Sequence, residues 1–310
     1  MISLDDVRAA RETIGDSLHR TPVFSSATLG PRVFLKAELF QRTGSFKPRG
    51  VLNKLRSLTP EERANGVIGA SAGNHAQALA YGAALEGIDA LLVMWSTASP
   101  AKIEATRGYG AQVDLEASGP ETVFDRMYAV QETTGRTVVH AFDDRLVAAG
   151  QGTVGLEIAE DVPDVDVVIV PVGGGGLIAG IATALPDTRV VGVEPVGSTA
   201  LTTALAAGEP TAVAPRSIAD GLNAPFAGGV GLGIVREGGV EIVLVEEDEI
   251  EDGMRFLYQR AKLACEPAGA AAVAALRAER VAVEEGEAVV AVVSGGNVSS
   301  ETAAAILARP

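Results

Sequence analysis

A single cysteine, Cys265, stands in the 310 residues, so no intrachain disulfide can form and a disulfide-stapled secreted scaffold is excluded. The three histidines, His19, His75 and His140, are scattered, with no zinc-type spacing among them or with the cysteine. Positive charge is short as well: 25 lysines and arginines face 40 acidic residues, for a net charge of -15. That balance leaves no basic stripe for nucleic acid and disfavours an anionic membrane surface. Long apolar runs are missing too. The best, residues 167–172 and 288–293, have the length of a strand and cannot span a bilayer. The N-terminus carries Asp5 and Asp6 where a signal peptide would be basic and then apolar, so a cytoplasmic protein is expected.

What the chain does have is material for a large core: 47% of it is hydrophobic and 21% charged, the balance of a globular protein. Short apolar runs alternate with amphipathic ones nearly end to end. Strands are expected over 33–37, 67–70, 90–95, 112–115, 137–140, 165–172, 189–193, 242–245 and 288–294. Helices fall between them, among others at 152–161, 177–185 and 247–263. Thr59-Pro60-Glu61-Glu62 shows a capping threonine, a proline at the first helical position and a glutamate at the third. The βαβα order predicts an α/β protein, mainly parallel sheet covered by helices on both faces. A break near 140–150 suggests two lobes with a cleft between them.

Only five lysines occur, and one is unlike the rest. Lys36, Lys54, Lys102 and Lys262 sit in ordinary strand-like or helix-like patterns. Lys47 follows Phe46 in a Gly/Ser-rich turn, precedes Pro48 and leads into a helix-like run. A lysine in a partly apolar pocket has a lowered pKa and can form a Schiff base with a carbonyl. Alone, it reads equally as a solvated turn residue. Its company decides.

Gly173, Gly174, Gly175 and Gly176 join an apolar strand to a helix, where backbone N–H groups approach a phosphate closely and the helix dipole favours its charge. Ser71-Ala72-Gly73-Asn74-His75 joins another strand to a helix, and either offers donors to an anion such as a carboxylate or simply caps the helix. Ser294-Gly295-Gly296-Asn297 ends the last strand in the same position. Open α/β sheets bind ligands at the carboxyl ends of strands, so these segments are expected to share one site. A dinucleotide reading stays open here. Gly174, Gly176 and Ala179 fit its fingerprint with Glu194 at the ribose-binding distance, which would make the protein an NAD-dependent oxidoreductase. It gives Lys47 no role.

Together the segments resemble the pyridoxal-phosphate enzymes of the tryptophan synthase β-subunit fold (fold type II), within the threonine dehydratase and serine racemase group. Gly150-Gln151-Gly152-Thr153, Ala219-Asp220-Gly221 and Glu266-Pro267-Ala268-Gly269 extend the resemblance through almost the whole chain. It implies a two-domain, three-layer α/β fold with mainly parallel sheets. Residues 1–65 plus 143–310 would form a large cofactor-binding domain and 66–142 a small substrate-clamping one. Pyridoxal 5'-phosphate is the implied cofactor, with Lys47 as its Schiff-base lysine and as the base for the Cα proton. Phe46 would pack beside the ring, Asn74 would bond the 3'-oxygen, and Ser294 would face the pyridine nitrogen. The backbone of Gly173, Gly174, Gly175, Gly176 and Leu177 would hold the phosphate. Ser71, Ala72, Gly73, Asn74 and His75 would clamp the α-carboxylate of a small amino-acid substrate.

Two departures sharpen what the resemblance implies. Serine racemases of the group carry a serine at the position of Ala72, on the cofactor face opposite the lysine. Alanine cannot supply that second proton. The implied activity is therefore β-elimination, a dehydratase (ammonia-lyase) turning L-threonine or L-serine into a 2-oxo acid and ammonia. A serine racemase or a 3-hydroxyaspartate dehydratase are the alternatives within the fold. The group's divalent-cation site maps to Glu194, Ser198 and Ala200, and losing a carboxylate weakens a site for a hard cation. Glu194 is thus either a residual metal ligand or a strand-end carboxylate. Assembly as a homodimer or homotetramer is expected.

Overall fold

The computed structural model describes residues 1–309. Among them ten strands occur: β1 (Val23–Ser25), β2 (Val33–Ala37), β3 (Val67–Ala70), β4 (Ala90–Trp95), β5 (Gln112–Ala117), β6 (Thr137–Val138), β7 (Val167–Pro171), β8 (Arg189–Pro195), β9 (Glu241–Val245) and β10 (Val289–Val293). They form a six-stranded sheet in the order β1-β2-β10-β7-β8-β9 and a four-stranded sheet in the order β5-β4-β3-β6. Every neighbouring pair is parallel except β1 with β2. This is the α/β architecture expected from the alternation of apolar and amphipathic runs.

Parallel strands covered on both faces must be apolar on both faces. β7 and β10 accordingly have every residue buried. One face of the large sheet packs on helices Leu4–Ile14, Arg145–Asp161 and Gly176–Ala184, the other on Glu247–Phe256 and Pro267–Arg277. The four-stranded sheet lies between Pro48–Arg56 and Asn74–Glu86 on one side and Val123–Thr134 on the other.

The structure departs from the sequence expectations at a few ends. The helix expected from residue 152 begins at Arg145, because Asp144 accepts from the N–H groups of Leu146 (2.8 Å) and Val147 (3.1 Å) and starts it there. The run 247–263 is α-helical only through Phe256, then widens into a π-turn that ends at Lys262 with φ +60°. No sequence signal marked β1, a three-residue edge strand with two exposed residues.

Candidate active site

The carboxyl ends of β3, β7 and β10 open on one cavity of about 600 Å³. Phe46, Lys47, Ser71, Ala72, Gly73, Asn74, His75, Gly173, Gly174, Gly175, Gly176, Leu177 and Ser294 all line it. Residues distant in sequence are thus brought together as the strand-end pattern anticipated. Glu194 alone among the expected site residues lies elsewhere.

Lys47 reaches the cavity because its segment is tied to the end of β10. Phe46 N–H donates to the Ser294 carbonyl (3.2 Å), and Ser45 forms an antiparallel bridge with Gly295. Lys47 is the residue before helix Pro48–Arg56, whose proline fills the first turn where an N–H would be idle. Two residues on, Arg49 anchors that helix below the cavity. Its guanidinium forks onto Glu38 (2.8 Å) and Glu157 (2.7 Å), and Glu157 also accepts from Lys36 Nζ (2.6 Å). Burial pushes the Glu157 carboxyl up, but Arg49 and Lys36 hold it below the usual carboxylate range. Lys36, read from sequence as an ordinary strand lysine, is completely buried in this network.

The Lys47 amine donates to the Ala141 carbonyl (2.9 Å) and lies 5.0 Å from the centre of the Phe46 ring. Burial lowers its pKa to about 8, with Glu266 pulling the other way. A substantial fraction is therefore neutral near physiological pH, as a nucleophile or base must be.

Two helix N-termini point into the same space. The first follows the glycine loop: Gly175 has φ +90°, and no side chain among the described residues caps helix Gly176–Ala184. A Cβ on Gly174 would overlap the Phe142 ring, so the loop is kept close to that ring only by glycine. The second is helix Asn74–Glu86, also without a side-chain cap among the described residues. Uncapped N–H groups at both ends, with their helix dipoles, provide two places for anions. These match a phosphate on one side and a carboxylate on the other.

His75 lies under the second helix start. Its Nε2 meets the Val139 carbonyl at 2.9 Å, which only accepts, so that nitrogen carries the proton. Burial and the nearby Lys47 charge lower its pKa to about 3 and keep the ring neutral. The ring is thus a fixed floor beneath the loop, and any carboxylate contact falls to the backbone.

Several site residues were not singled out from the sequence as side chains at the site. Glu266 is fully buried and accepts from Asn74 Nδ2 (2.6 Å); burial and the charge of Asp220 raise its pKa to about 7. Asn297 donates to Asn74 Oδ1 (2.8 Å). Lys102 and Asp220 pair at the cavity rim, linking helix Pro100–Gly108 to the turn Asp220–Leu222. Glu266 and Asp220 sit inside short family-like motifs, which offered a location without a role.

Glu194 ends β8 and is buried. Its two oxygens accept from the N–H groups of Leu201 (2.7 Å) and Thr202 (2.9 Å) and from the Thr202 hydroxyl (2.6 Å), satisfying the start of helix Ala200–Ala207. Burial raises its pKa. Placed there it meets no ribose, so the dinucleotide reading loses its acid. No cluster of three or more His, Cys, Asp or Glu side chains suited to a metal occurs among the described residues. Nor is any described helix long and apolar enough to cross a membrane.

Comparison with known proteins agrees with the geometry. A family profile described as pyridoxal-phosphate dependent enzyme matches residues 14–295. The chain is 43% identical over 307 residues to the L-threonine ammonia-lyase of Thermotoga maritima, covering 96% of this chain and 76% of that protein. Among solved structures, a threonine deaminase from the organism abbreviated T.th. superposes with a TM-score of 0.88 at 38% identity, covering 96% of this chain and 99% of that one. Maize serine racemase superposes with a TM-score of 0.91 at 36% identity, covering 97% and 95%. Both structural likenesses run through nearly the whole chain, the Lys47 segment and the glycine loop included.

Proposed function

This chain belongs to the pyridoxal-phosphate dependent enzyme family, and we propose that it is a lyase removing water and then ammonia from L-threonine, and from L-serine as a second substrate. The observation that carries this reading is the pairing of a buried amine, Lys47, with a methyl group, Ala72, in one cavity. One side of the site supplies a base and Ala72 supplies no proton donor. Release of a leaving group after Cα deprotonation fits that arrangement better than reprotonation from the opposite face.

The residues present fit the cofactor: a fully buried amine, an uncapped glycine-loop helix and the buried Ser294 all open into one space. When bound, pyridoxal phosphate supplies a carbonyl that condenses with amines and a ring that takes up charge from Cα. Lys47 would hold it and, once exchanged for the substrate amine, take the Cα proton. The N–H groups of Gly173, Gly174, Gly175, Gly176 and Leu177 would bind its phosphate, Asn74 its 3'-oxygen and Ser294 its ring nitrogen, with Phe46 packed against the ring. Backbone donors of Ser71, Ala72, Gly73, Asn74 and His75 would orient the substrate carboxylate. Residues 66–142 would act as the clamp, closing on the remainder of the chain with Lys102 and Asp220 at the rim. Glu194 fits a helix-capping task. Assembly into a homodimer or homotetramer is supported by Phe24 and Phe40, exposed edge to face at 6.2 Å beside the edge strand β1.

The test is a visible spectrum of the purified protein followed by a 2-oxo acid assay over L-threonine, L-serine and 3-hydroxyaspartate. A yellow protein most active on L-threonine is expected. A yellow protein converting L-serine chiefly to D-serine would instead support the racemase reading, which the likeness to maize serine racemase keeps in view.

A further inference from the structure

Asn297 closes the turn after β10, and nothing above gives it a task in the reaction. Its Nδ2 donates to the Thr43 carbonyl (2.7 Å) and to Asn74 Oδ1 (2.8 Å). A carbonyl only accepts, so the Thr43 contact fixes which end of the Asn297 amide is nitrogen. The Asn74 atom facing it must then be oxygen. Asn74 Nδ2 consequently points the other way, where it donates to Glu266 Oε1 at 2.6 Å. One Nδ2 hydrogen is taken by Glu266 and one is left.

Glu266 is held just as firmly. Its backbone N–H donates to the Gly295 carbonyl (3.1 Å), and Gly295 packs so tightly that a Cβ there would collide with Oε1 and lie 3.2 Å from Asn74 Nδ2. Asn74 starts the helix after β3, in the four-stranded unit, whereas Glu266 and Asn297 belong to the six-stranded side. The Asn74 amide is thus oriented by two groups from across the cleft.

The geometry points to Glu266 and Asn297 as positioning residues that grip the Asn74 amide at both ends and turn its remaining N–H toward the cofactor. The inference rests on the proposed contact of Asn74 with the cofactor's 3'-oxygen. An unrestrained asparagine would present its oxygen as readily as its nitrogen, and an acceptor oxygen on the cofactor requires a donor. Without the grip, part of the population would face that oxygen with another acceptor.

Holoenzymes of wild type, Asn74→Ala, Asn297→Ala and Glu266→Gln, with the doubles Asn74→Ala/Asn297→Ala and Asn74→Ala/Glu266→Gln, provide the test. Two quantities are read: the absorption maximum of bound cofactor, and cofactor retention in equilibrium dialysis. Asn297→Ala and Glu266→Gln should each weaken retention by about three- to tenfold, the scale of one hydrogen bond. Each should also move the absorption maximum in the direction that Asn74→Ala moves it, and neither should add to Asn74→Ala in the doubles. Should the buried Glu266 variant fail to fold, the half-buried Asn297 and its double decide the matter. If Asn74→Ala leaves both readings at wild-type values, the cofactor contact itself is wrong and the inference falls with it. If Asn74→Ala changes both while the other two do not, or if the effects add, the positioning role is overturned and the Asn74 contact stands.

Discussion

An amine must lose its proton before it can take one from carbon, and at Lys47 burial is what makes that possible near neutral pH. Lys47→Ala is expected to abolish 2-oxo acid formation and the visible absorption together; retention of either would contradict the assignment. Ala72→Ser places a hydroxyl where a methyl now stands, and should raise D-amino-acid formation relative to elimination, as read by chiral chromatography of L-serine reactions. An unchanged ratio would remove Ala72 from the account. At this scale the sequence was legible where chemistry leaves a local mark: a lysine before a proline, four glycines in a row, a Ser-Gly-Asn turn at a strand end. Glu266 and Asn297 left no such mark. Their tasks depend on meeting Asn74 across about 200 residues of chain, a pairing only the folded topology creates.

Among the elements, helix Pro48–Arg56 has the most to hold, since it fixes the lysine. Arg49 does this from between two buried carboxylates, Glu38 and Glu157. Arg49→Met would leave both without their cation, and should cost about 3–5 kcal/mol of stability in urea unfolding. A loss under about 1 kcal/mol would show that the network is incidental. Strands were legible to within a residue or two, because a parallel strand buried on both faces is an unbroken apolar run. Helices were harder. Gly229–Glu237 has glycine at positions 229, 231 and 233 and reads as a loop, yet packing against helix Gly176–Ala184 keeps it helical. Arg145–Asp161 likewise contains Gly150, where a Cβ would sit 2.5 Å from the Arg49 carbonyl. That glycine is a point of close helix approach, which sequence periodicity alone mistakes for a break.

For the whole molecule, titration of the cavity walls should be visible in stability. His75 and His140 are buried and neutral, with pKa values lowered to about 3 and about 4 from 6.5. Unfolded, they take up protons below pH 6.5, so their contribution is lost as pH falls through that window. Glu266 has the opposite sign: its pKa is raised from 4.5 to about 7, so its contribution is lost as pH rises from 4.5 toward 7. Two histidines outweigh one glutamate. Unfolding free energy of the protein should therefore drop by roughly 2–3 kcal/mol between about pH 6.5 and 4.5. A flat or rising curve by urea denaturation would show that these groups are not buried as described. The central claim is that one particular lysine of five carries the cofactor. Borohydride reduction of the holoenzyme, proteolysis and mass spectrometry test it most directly, because reduction makes the linkage permanent. A pyridoxyl group is expected on the peptide containing Lys47 and on no other; a label on Lys36, Lys54, Lys102 or Lys262, or no label on a yellow protein, would contradict it.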